Sequence, residues 1–146
     1  MHTKDNAQFH IVLVKGRVQK DDKFLMAQRS MQELHKPGVR SLPGGKVEDE
    51  VERDILQNTL KKEIMEEVGL EITDQIELVY NNSFIRSDDS HVVGLTFLCH
   101  RQAGEAQALE DTAKVQRFTL DELKAFPEAE EFLQIEIRAL ESYLQR

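Results

Sequence analysis

The sequence predicts an α/β fold in which a mixed β-sheet lies between helices. Strand-like and helix-like segments alternate along the chain in the order strands, helix, strands, helix. The first two strand-like segments are close enough to form a hairpin. The two long helix-like segments carry apolar residues on one face, as helices that cover a sheet do. With 146 residues, the chain has room for one sizeable core, so residues 1–146 are predicted to form a single domain.

The first half of the chain contains the predicted hairpin and the first long helix. Residues 9–19 and 23–30 are predicted strands, and the Asp-Asp pair between them suits a turn. The following stretch, "MQELHKPGVRSLPGG", is rich in Pro and Gly and is predicted to be a loop with a short extended piece. Apolar residues then recur every four positions, which predicts an amphipathic helix over 52–68 with Gly69 as its C-terminal cap.

The second half is predicted to contain three more strands and a second long helix. After the last strand, the segment "TLDEL" begins a helical turn with Thr119 or Asp121 as its cap. Residues 129–146 are predicted to form the second amphipathic helix. The strands are predicted at 76–87, 91–102 and 114–120. The predicted inward residues of the final helix are Phe132, Ile135, Leu140 and Leu144.

Composition and charge argue against several classes of protein. Hydrophobic residues make up 40% and charged residues 32% of the chain, which is typical of globular and not of disordered proteins. The net charge of −8 disfavours a non-specific grip on nucleic acid or on an anionic membrane. No segment has the length of a membrane span, and the N-terminal residues lack an apolar signal core. The single cysteine, Cys99, lies in an apolar run, which predicts a buried strand thiol and a reducing cytoplasm.

Three glutamates share one face of the first helix near its C-terminal end. Because successive helical residues turn by about 100°, Glu63, Glu66 and Glu67 fall within an arc of about 100° beside the buried face. Like charges at this spacing repel each other, and negative charge is unfavourable at this end of the helix dipole. Taken alone, such a trio is more often a solvated acidic face. A divalent cation would relieve the repulsion, since Mg²⁺ prefers carboxylate, water and phosphate oxygens.

The segments around these glutamates form a longer pattern. The stretch "LPGGKVE" (42–48) precedes the helix, and "KEIMEEVGL" (62–70) closes it. The pattern resembles the Nudix box of the Nudix hydrolases, which begins at a glycine, here Gly45, and ends in Arg-Glu-apolar-x-Glu-Glu-x-Gly-apolar. More loosely, the resemblance covers nearly the whole chain. It implies an α/β/α sandwich and Mg²⁺ or Mn²⁺ as cofactor, with Gly45 and the three glutamates as metal ligands and the glutamates as catalytic residues.

The chain departs from the Nudix pattern in four respects. It has three more residues than the box between the first glycine and the first glutamate of the trio. The box's earlier glutamate is Val51 when counted from the glycine, and Asp54 when counted back from Lys62. Lys62 itself replaces an arginine, so a bidentate brace is lost. Finally, Arg40 stands where a tryptophan is common in the family.

Residues outside the trio are candidates for substrate binding. Arg29 ends a predicted strand, where an arginine in similar proteins often meets substrate phosphate; a plain surface arginine is the alternative. Lys46 and Glu48 follow the double glycine, and Nudix proteins commonly have a substrate- or metal-facing glutamate at the position of Glu48. Glu105 and Glu110 lie where some family members keep a further catalytic carboxylate, although their acidic, loop-like segment favours solvated charge for both.

Two groups of ring-bearing side chains are predicted to be structural. Phe84, Phe97 and Phe118 are expected in the core and not against a nucleobase. The five histidines show no spacing typical of metal ligands, so most are expected to be structural or on the surface.

Two functions are consistent with these residues. The leading hypothesis is a metal-dependent pyrophosphohydrolase that hydrolyses a nucleoside diphosphate linked to another moiety. Water attacks one phosphorus, and Glu63 or a neighbouring glutamate acts as base. The alternative is a non-catalytic Nudix-fold module that binds or senses a nucleotide; loss of a trio glutamate would favour it, and none is lost.

The expected partner is a small-molecule nucleotide, and neither nucleic acid nor membrane is expected. ADP-ribose, dinucleoside polyphosphates, nucleoside triphosphates and nucleotide sugars all stay open as substrates. Many Nudix proteins dimerise, so the resemblance also leaves a homodimer open.

Overall fold

A computed structural model of the chain describes residues 9–31, 40–126 and 131–146. Part of the predicted loop (32–39) and the predicted start of the final helix (129–130) lie outside the described residues. The elements follow the predicted order of strands, helix, strands, helix. They are β1 (Ile11–Lys20), β2 (Lys23–Arg29), β3 (Arg40–Ser41), β4 (Gly44–Lys46), α1 (Ile55–Val68), β5 (Glu71–Ile72), β6 (Glu77–Ile85), β7 (His91–Ala103), β8 (Thr112–Thr119), α2 (Leu120–Lys124) and α3 (Glu131–Leu144).

The described strands form one mixed sheet with β1 near its centre. Residues 11–19 of β1 run parallel to residues 92–100 of β7. β1 is antiparallel to β4 and, at its C-terminal end, to β2. β2 continues the sheet through β3 and β8, while β6 and β5 pair with β7 on the other side. The parallel pairing of β1 with β7 therefore joins the two halves of the chain in one sheet.

One face of the sheet is covered by α1. Val14 and Val18 of β1 pack there with Leu60 and Ile64 of the helix, because alternate residues of a strand point to the same face. Cys99 of β7 lies in the same cluster, and burial raises the pKa of its thiol to about 12. The prediction of a buried strand thiol is thus confirmed.

The opposite face is covered by α2 and α3. Phe24 and Met26 of β2 and Leu98 of β7 pack there against Leu123 of α2 and Ile137 of α3. The predicted α/β architecture, a mixed sheet between helices, is confirmed. No helix in the described part of the chain is long and apolar enough to cross a membrane.

The observed ends of α1 and α2 agree with two of the three predicted boundaries. α1 begins at Ile55, three residues later than predicted, because Asp54 adopts a left-handed conformation (φ 56°, ψ 36°) that ends helical geometry on its N-terminal side. Gly69 ends the helix as predicted, with φ 71° and its N–H donating to the carbonyl of Met65. Of the two candidate caps for α2, Thr119 is the one used, in a capping box with Glu122.

The predicted inward face of α3 is only partly correct. Leu140 is buried as predicted, but Ile135 and Leu144 are 41% and 40% exposed, and the side chain of Phe132 lies outside the described residues. The buried stripe instead contains Leu133, Ile137 and Leu140 together with a charged residue, Glu136. The prediction followed apolar residues alone, so it could not include a buried glutamate.

Candidate active site

The chain bends at Pro43 and enters β4 through Gly44 and Gly45, and this segment, called the glycine turn below, lies against the last turns of α1. The backbone N–H of Gly44 donates a 2.7 Å hydrogen bond to Oε2 of Glu67. A Cβ added at Gly44 would lie 2.0 Å from the carbonyl oxygen of Val14, so backbone packing excludes any side chain there. A Cβ added at Gly45 would lie 2.5 Å from Cδ of Glu63. The two glycines therefore let the turn approach the helical carboxylates closely.

The glutamate trio lies at the edge of the buried face of α1, as helical spacing predicts. Three apolar residues of the helix are fully covered by the sheet, whereas the three glutamates are each partly buried. The covered residues are Leu60, Ile64 and Val68; the partly buried ones are Glu63, Glu66 and Glu67. The trio is therefore more enclosed than a solvated acidic face.

Glu67 has a strongly perturbed protonation equilibrium. Its pKa is raised from 4.5 to about 7, chiefly because the carboxyl group is buried. The hydrogen bond from Gly44 lowers the pKa, as does the positive charge of Arg29. The negative charges of Glu63 and Glu110 raise it. Glu67 thus lies within electrostatic reach of one arginine and two other carboxylates.

Glu63 is perturbed in the same direction. Burial is the largest cause that raises its pKa above 4.5, followed by the charges of Glu66 and Glu110. Lys62, at the position of the arginine in the Nudix box, lowers the pKa, and Glu48 raises it slightly. At least four carboxylates therefore act on one another around the glycine turn.

Backbone hydrogen bonds bring Glu110 to this cluster. The N–H of Leu109 donates to the carbonyl of Glu67 (3.0 Å). This carbonyl lies in the last turn of α1, where carbonyl groups have no donor within the helix. The N–H of Ser30, just beyond β2, donates to the carbonyl of Asp111 (2.7 Å). Glu110 itself adopts a left-handed conformation with φ 49°. The segment before β8 is thereby held between the end of α1 and the end of β2.

Only some of the predicted site residues outside the trio lie close enough to influence the glutamate cluster. Arg29, at the end of β2, and Glu48 both influence the glutamate cluster, whereas Lys46 is exposed at the end of β4. Glu105 is exposed and lies 3.8 Å from Arg101, in agreement with solvated charge. Glu110 is exposed too, but its effect on the cluster was not predicted, because no local sequence pattern reveals the backbone bonds that place it. The functional roles of all these residues remain predictions.

The chemistry of the cluster fits a hard divalent cation. Within residues 9–31, 40–126 and 131–146, no three acidic, histidine or cysteine side chains are already gathered around one point as metal ligands. The cluster nevertheless consists of oxygen donors whose mutual repulsion and burial raise the pKa values of Glu63 and Glu67. A cation among them would offset both effects.

A cavity of about 250 Å³ lies on the other face of the sheet, beneath α3. Phe84 lines this cavity and is 39% exposed, so the prediction that it lies in the core was wrong. Phe97 is buried as predicted, and Phe118 packs against the core beneath α2 and α3. Gly94 forms part of the wall, where an added Cβ would lie 2.8 Å from Oδ1 of Asn82. The lining residues are Lys15, Ser41, Leu42, Tyr80, Asn82, Phe84, Gly94, Thr96, Leu133 and Glu136.

The chain resembles known proteins in both sequence and fold. A family model described as NUDIX domain matches residues 8–137. The chain is similar to the MutT NUDIX hydrolase from Burkholderia pseudomallei, with 24% identity over 91% of this chain and 99% of that chain and a TM-score of 0.74. No curated protein matches the chain.

Two further solved structures are similar to this chain. One is an ADP-ribose pyrophosphatase from Streptococcus suis, with 23% identity over 92% of each chain and a TM-score of 0.66. The other is the NUDIX domain of Shewanella oneidensis NrtR complexed with ADP ribose, with 18% identity over 98% of this chain and 94% of that chain and a TM-score of 0.72. At these identities the likeness shows the shared fold.

Proposed function

This chain belongs to the Nudix family, and from that premise we propose that it is a metal-dependent pyrophosphohydrolase. Its proposed substrate is a nucleoside diphosphate linked to another moiety. The observation that carries the proposal is the contact between the glycine turn and the acidic face of α1. Gly44 donates its N–H to Glu67 at 2.7 Å, and Gly45 leaves only enough space for the carboxyl group of Glu63.

Mg²⁺ or Mn²⁺ is the proposed cofactor. The proposed ligands are the carboxylates of Glu63, Glu66 and Glu67 and the backbone carbonyl of Gly45. A divalent cation bound there would neutralise the phosphate charge and polarise the phosphate oxygens. The raised pKa values of Glu63 and Glu67 support this assignment, because burial and the repulsion among the carboxylates outweigh the positive charges of Lys62 and Arg29.

The proposed reaction is the hydrolysis of a phosphoanhydride. The oxygen of a water molecule forms a bond to one phosphorus, the anhydride P–O bond breaks, and two phosphate-bearing products leave. The proton of the water passes to a carboxylate of the cluster, with Glu63 or a neighbouring glutamate as the base. Arg29 lies within electrostatic reach of Glu67 and is the proposed contact for substrate phosphate. Lys46 and Glu48 are the other proposed substrate-binding residues.

The cavity beneath α3 is the proposed place for the organic ring of the substrate. Ser41 and Leu42 line the cavity, and Gly44 and Gly45 contact the carboxylates, so one short segment borders both sites. On this proposal the phosphates of a nucleotide lie at the cluster beside α1, and its base passes this segment to reach the cavity on the other face of the sheet. A volume of about 250 Å³ suits one flat ring system and not a whole dinucleotide.

A panel of nucleoside diphosphate derivatives tests the proposed activity. The purified protein is incubated with ADP-ribose, dinucleoside polyphosphates, nucleotide sugars and nucleoside triphosphates, each with Mg²⁺ or with a chelator. Release of phosphate or of a mononucleotide only in the presence of Mg²⁺ supports the enzyme. Binding without turnover supports the second candidate, a nucleotide-binding module; one similar Nudix domain has been solved in complex with ADP ribose.

A further inference from the structure

A buried ion pair joins the sheet to α3. Arg17 of β1 is fully buried and Glu136 of α3 is 2% exposed. Nη2 of Arg17 donates to Oε1 of Glu136, and Nε donates to Oε2 at 3.2 Å. Nη1 of the arginine donates to the sulfur of Met26 at 3.2 Å. The two charged groups are therefore paired through two hydrogen bonds, which holds the carboxylate in one orientation.

The residue that carries this carboxylate forms part of the cavity wall. Glu136 lines the cavity beneath α3 although its side chain is almost completely buried. A carboxylate has roughly four lone-pair directions, and Arg17 occupies two of them. A carboxylate paired with arginine accepts hydrogen bonds and cannot donate them. The remaining acceptor capacity therefore gives this part of the cavity a fixed preference for N–H or O–H donors.

Asn82, in contrast, can either donate or accept a hydrogen bond in the cavity. Its Oδ1 lies where a Cβ on Gly94 would be 2.8 Å away, so the glycine provides the space that the amide occupies. No side-chain hydrogen bond of Asn82 is found within the described residues. An amide can present its oxygen or its NH₂ group to a ligand, because the side chain can turn over. Asn82 can thus bind either edge of a ring, whereas Glu136 cannot.

The walls of the cavity suit a flat ring. The aromatic side chains of Tyr80 and Phe84 line it from β6, and Leu42 and Leu133 add apolar surface. Of the remaining lining residues, Lys15, Ser41 and Thr96 are polar. A nucleobase has the required combination of apolar faces and a polar edge.

We infer that Glu136 is a specificity-determining residue that selects an amino-bearing nucleobase by accepting a hydrogen bond from its exocyclic amino group. Arg17 acts as the positioning residue for this carboxylate. The inference rests on the proposed function in one respect, namely that the ligand of the cavity is the base of a nucleotide. It adds a class of substrate: derivatives of adenine, cytosine or guanine are accepted, and rings without an N–H donor at this edge are not.

The test compares nucleotides that differ by one amino group. The dissociation constants of AMP and of purine riboside 5′-monophosphate are measured by isothermal titration calorimetry, as are those of CMP and its 4-deamino analogue. IMP and UMP are unsuitable partners, because replacing the amino group by a carbonyl adds a ring N–H that Glu136 could accept. For at least one pair we expect the amino compound to bind about tenfold more tightly.

Two variants assign this preference to a residue. In Glu136→Gln, Arg17 retains the amide oxygen and the NH₂ group turns to the cavity, so the amino preference should fall to about onefold or reverse. Asn82→Leu serves as the matched control in the same cavity, since it leaves the ion pair intact. It should weaken both members of a pair by a similar factor and preserve their ratio. Circular dichroism and melting temperature report whether each variant is folded.

The outcomes separate the inference from the proposed function. Equal binding of the members of both pairs by the wild-type protein overturns the inference, as does absence of binding by all four nucleotides at millimolar concentration. An unchanged preference in Glu136→Gln shows that the ion pair only ties α3 to the sheet. If Glu136→Gln does not fold, loss of the preference in Asn82→Leu assigns it to the asparagine and overturns the inference, and its retention supports Glu136. Because these nucleotides are bound and not hydrolysed, the result is independent of the hydrolysis panel.

Discussion

The backbone N–H of Gly44 donates a 2.7 Å hydrogen bond to Glu67, so the glycine turn and the end of α1 are held together. This bond lowers the pKa of Glu67, yet burial raises the pKa more strongly, to about 7. The carboxylate is thus anchored and at the same time poorly solvated. A cation would supply what the hydrogen bond alone does not, namely a full compensating charge.

Glu67→Gln should lower kcat at least a hundredfold while the far-UV circular dichroism stays unchanged. Glutamine has nearly the same shape and can still accept the hydrogen bond from Gly44, but it lacks the negative charge with which a carboxylate binds and neutralises a divalent cation. The matched control is Glu71→Gln at the exposed first position of β5, which should retain full activity. Activity of Glu67→Gln within threefold of wild type would show that this glutamate is not a metal ligand.

Alanine substitutions at the two glycines should impair different properties, stability at Gly44 and activity at Gly45. In Gly44→Ala the new Cβ would clash with the carbonyl oxygen of Val14, which cannot move freely, so we expect a loss of about 1–3 kcal/mol in the free energy of unfolding. In Gly45→Ala the nearest atoms belong to the carboxyl end of Glu63, which can rotate away. This variant should fold normally and lose most of its activity. Urea unfolding and the hydrolysis assay measure the two effects, and equal losses of stability would contradict the distinction.

The metal-free protein should become more stable as the pH falls through the range from about 7 to 4.5. Because the pKa of Glu67 is raised in the folded state, folded protein binds this proton more tightly than unfolded protein does. The stabilisation is complete below the unfolded pKa and is lost as the pH rises through the folded pKa. It amounts to up to about 3 kcal/mol. Urea unfolding in the presence of a chelator measures it, and Glu67→Gln should show a smaller pH dependence than wild type.

Divalent cations should raise the melting temperature of wild type more than that of Glu63→Gln. Removing one of the mutually repelling charges should stabilise the metal-free protein by roughly 1 kcal/mol. A cation that binds only the folded protein adds about 1.4 kcal/mol at ten times its Kd. A monovalent salt at matched ionic strength controls for general screening of an acidic protein. An identical response of both proteins to Mg²⁺ would mean that the trio is only a solvated face.

Glu110→Gln should move the acidic limb of the pH–activity profile to lower pH. The charge of Glu110 raises the pKa values of both Glu63 and Glu67, so its removal should let both ionise more easily. Glu105→Gln is the control, because Glu105 lies in the same segment but pairs with Arg101. The measurement is kcat/KM against pH with the best substrate of the panel. Superimposable profiles for the two variants would contradict the proposed influence.

The sequence predicts those features of the site that depend on neighbouring residues. The common face of Glu63, Glu66 and Glu67 follows from helical spacing, and the end of α1 follows from the permissive backbone of Gly69. The start of α1 was missed because Asp54 adopts a left-handed conformation that asparagine and aspartate tolerate but do not require.

Features that depend on distant parts of the chain could not be predicted in the same way. Glu110 reaches the site through backbone hydrogen bonds, which leave no residue-specific pattern. The inward face of α3 was predicted incorrectly because it includes the buried Glu136. The burial of this glutamate is explained by its partner Arg17, which lies far away in the sequence. Phe84 was expected in the core, but in the described sheet β6 pairs only with β7, so its residues are covered incompletely.

The parallel pairing of β1 with β7 has a consequence for folding during synthesis. Residues 11–19 leave the ribosome long before residues 92–100, which complete the centre of the sheet. Until then β1 can pair with β2 and β4 and pack against α1, but the edge that later pairs with β7 stays open. Contacts between such distant residues are slow to form, because a long loop must close first. The nascent chain therefore passes through a period in which its central strand is accessible to chaperones and to other chains.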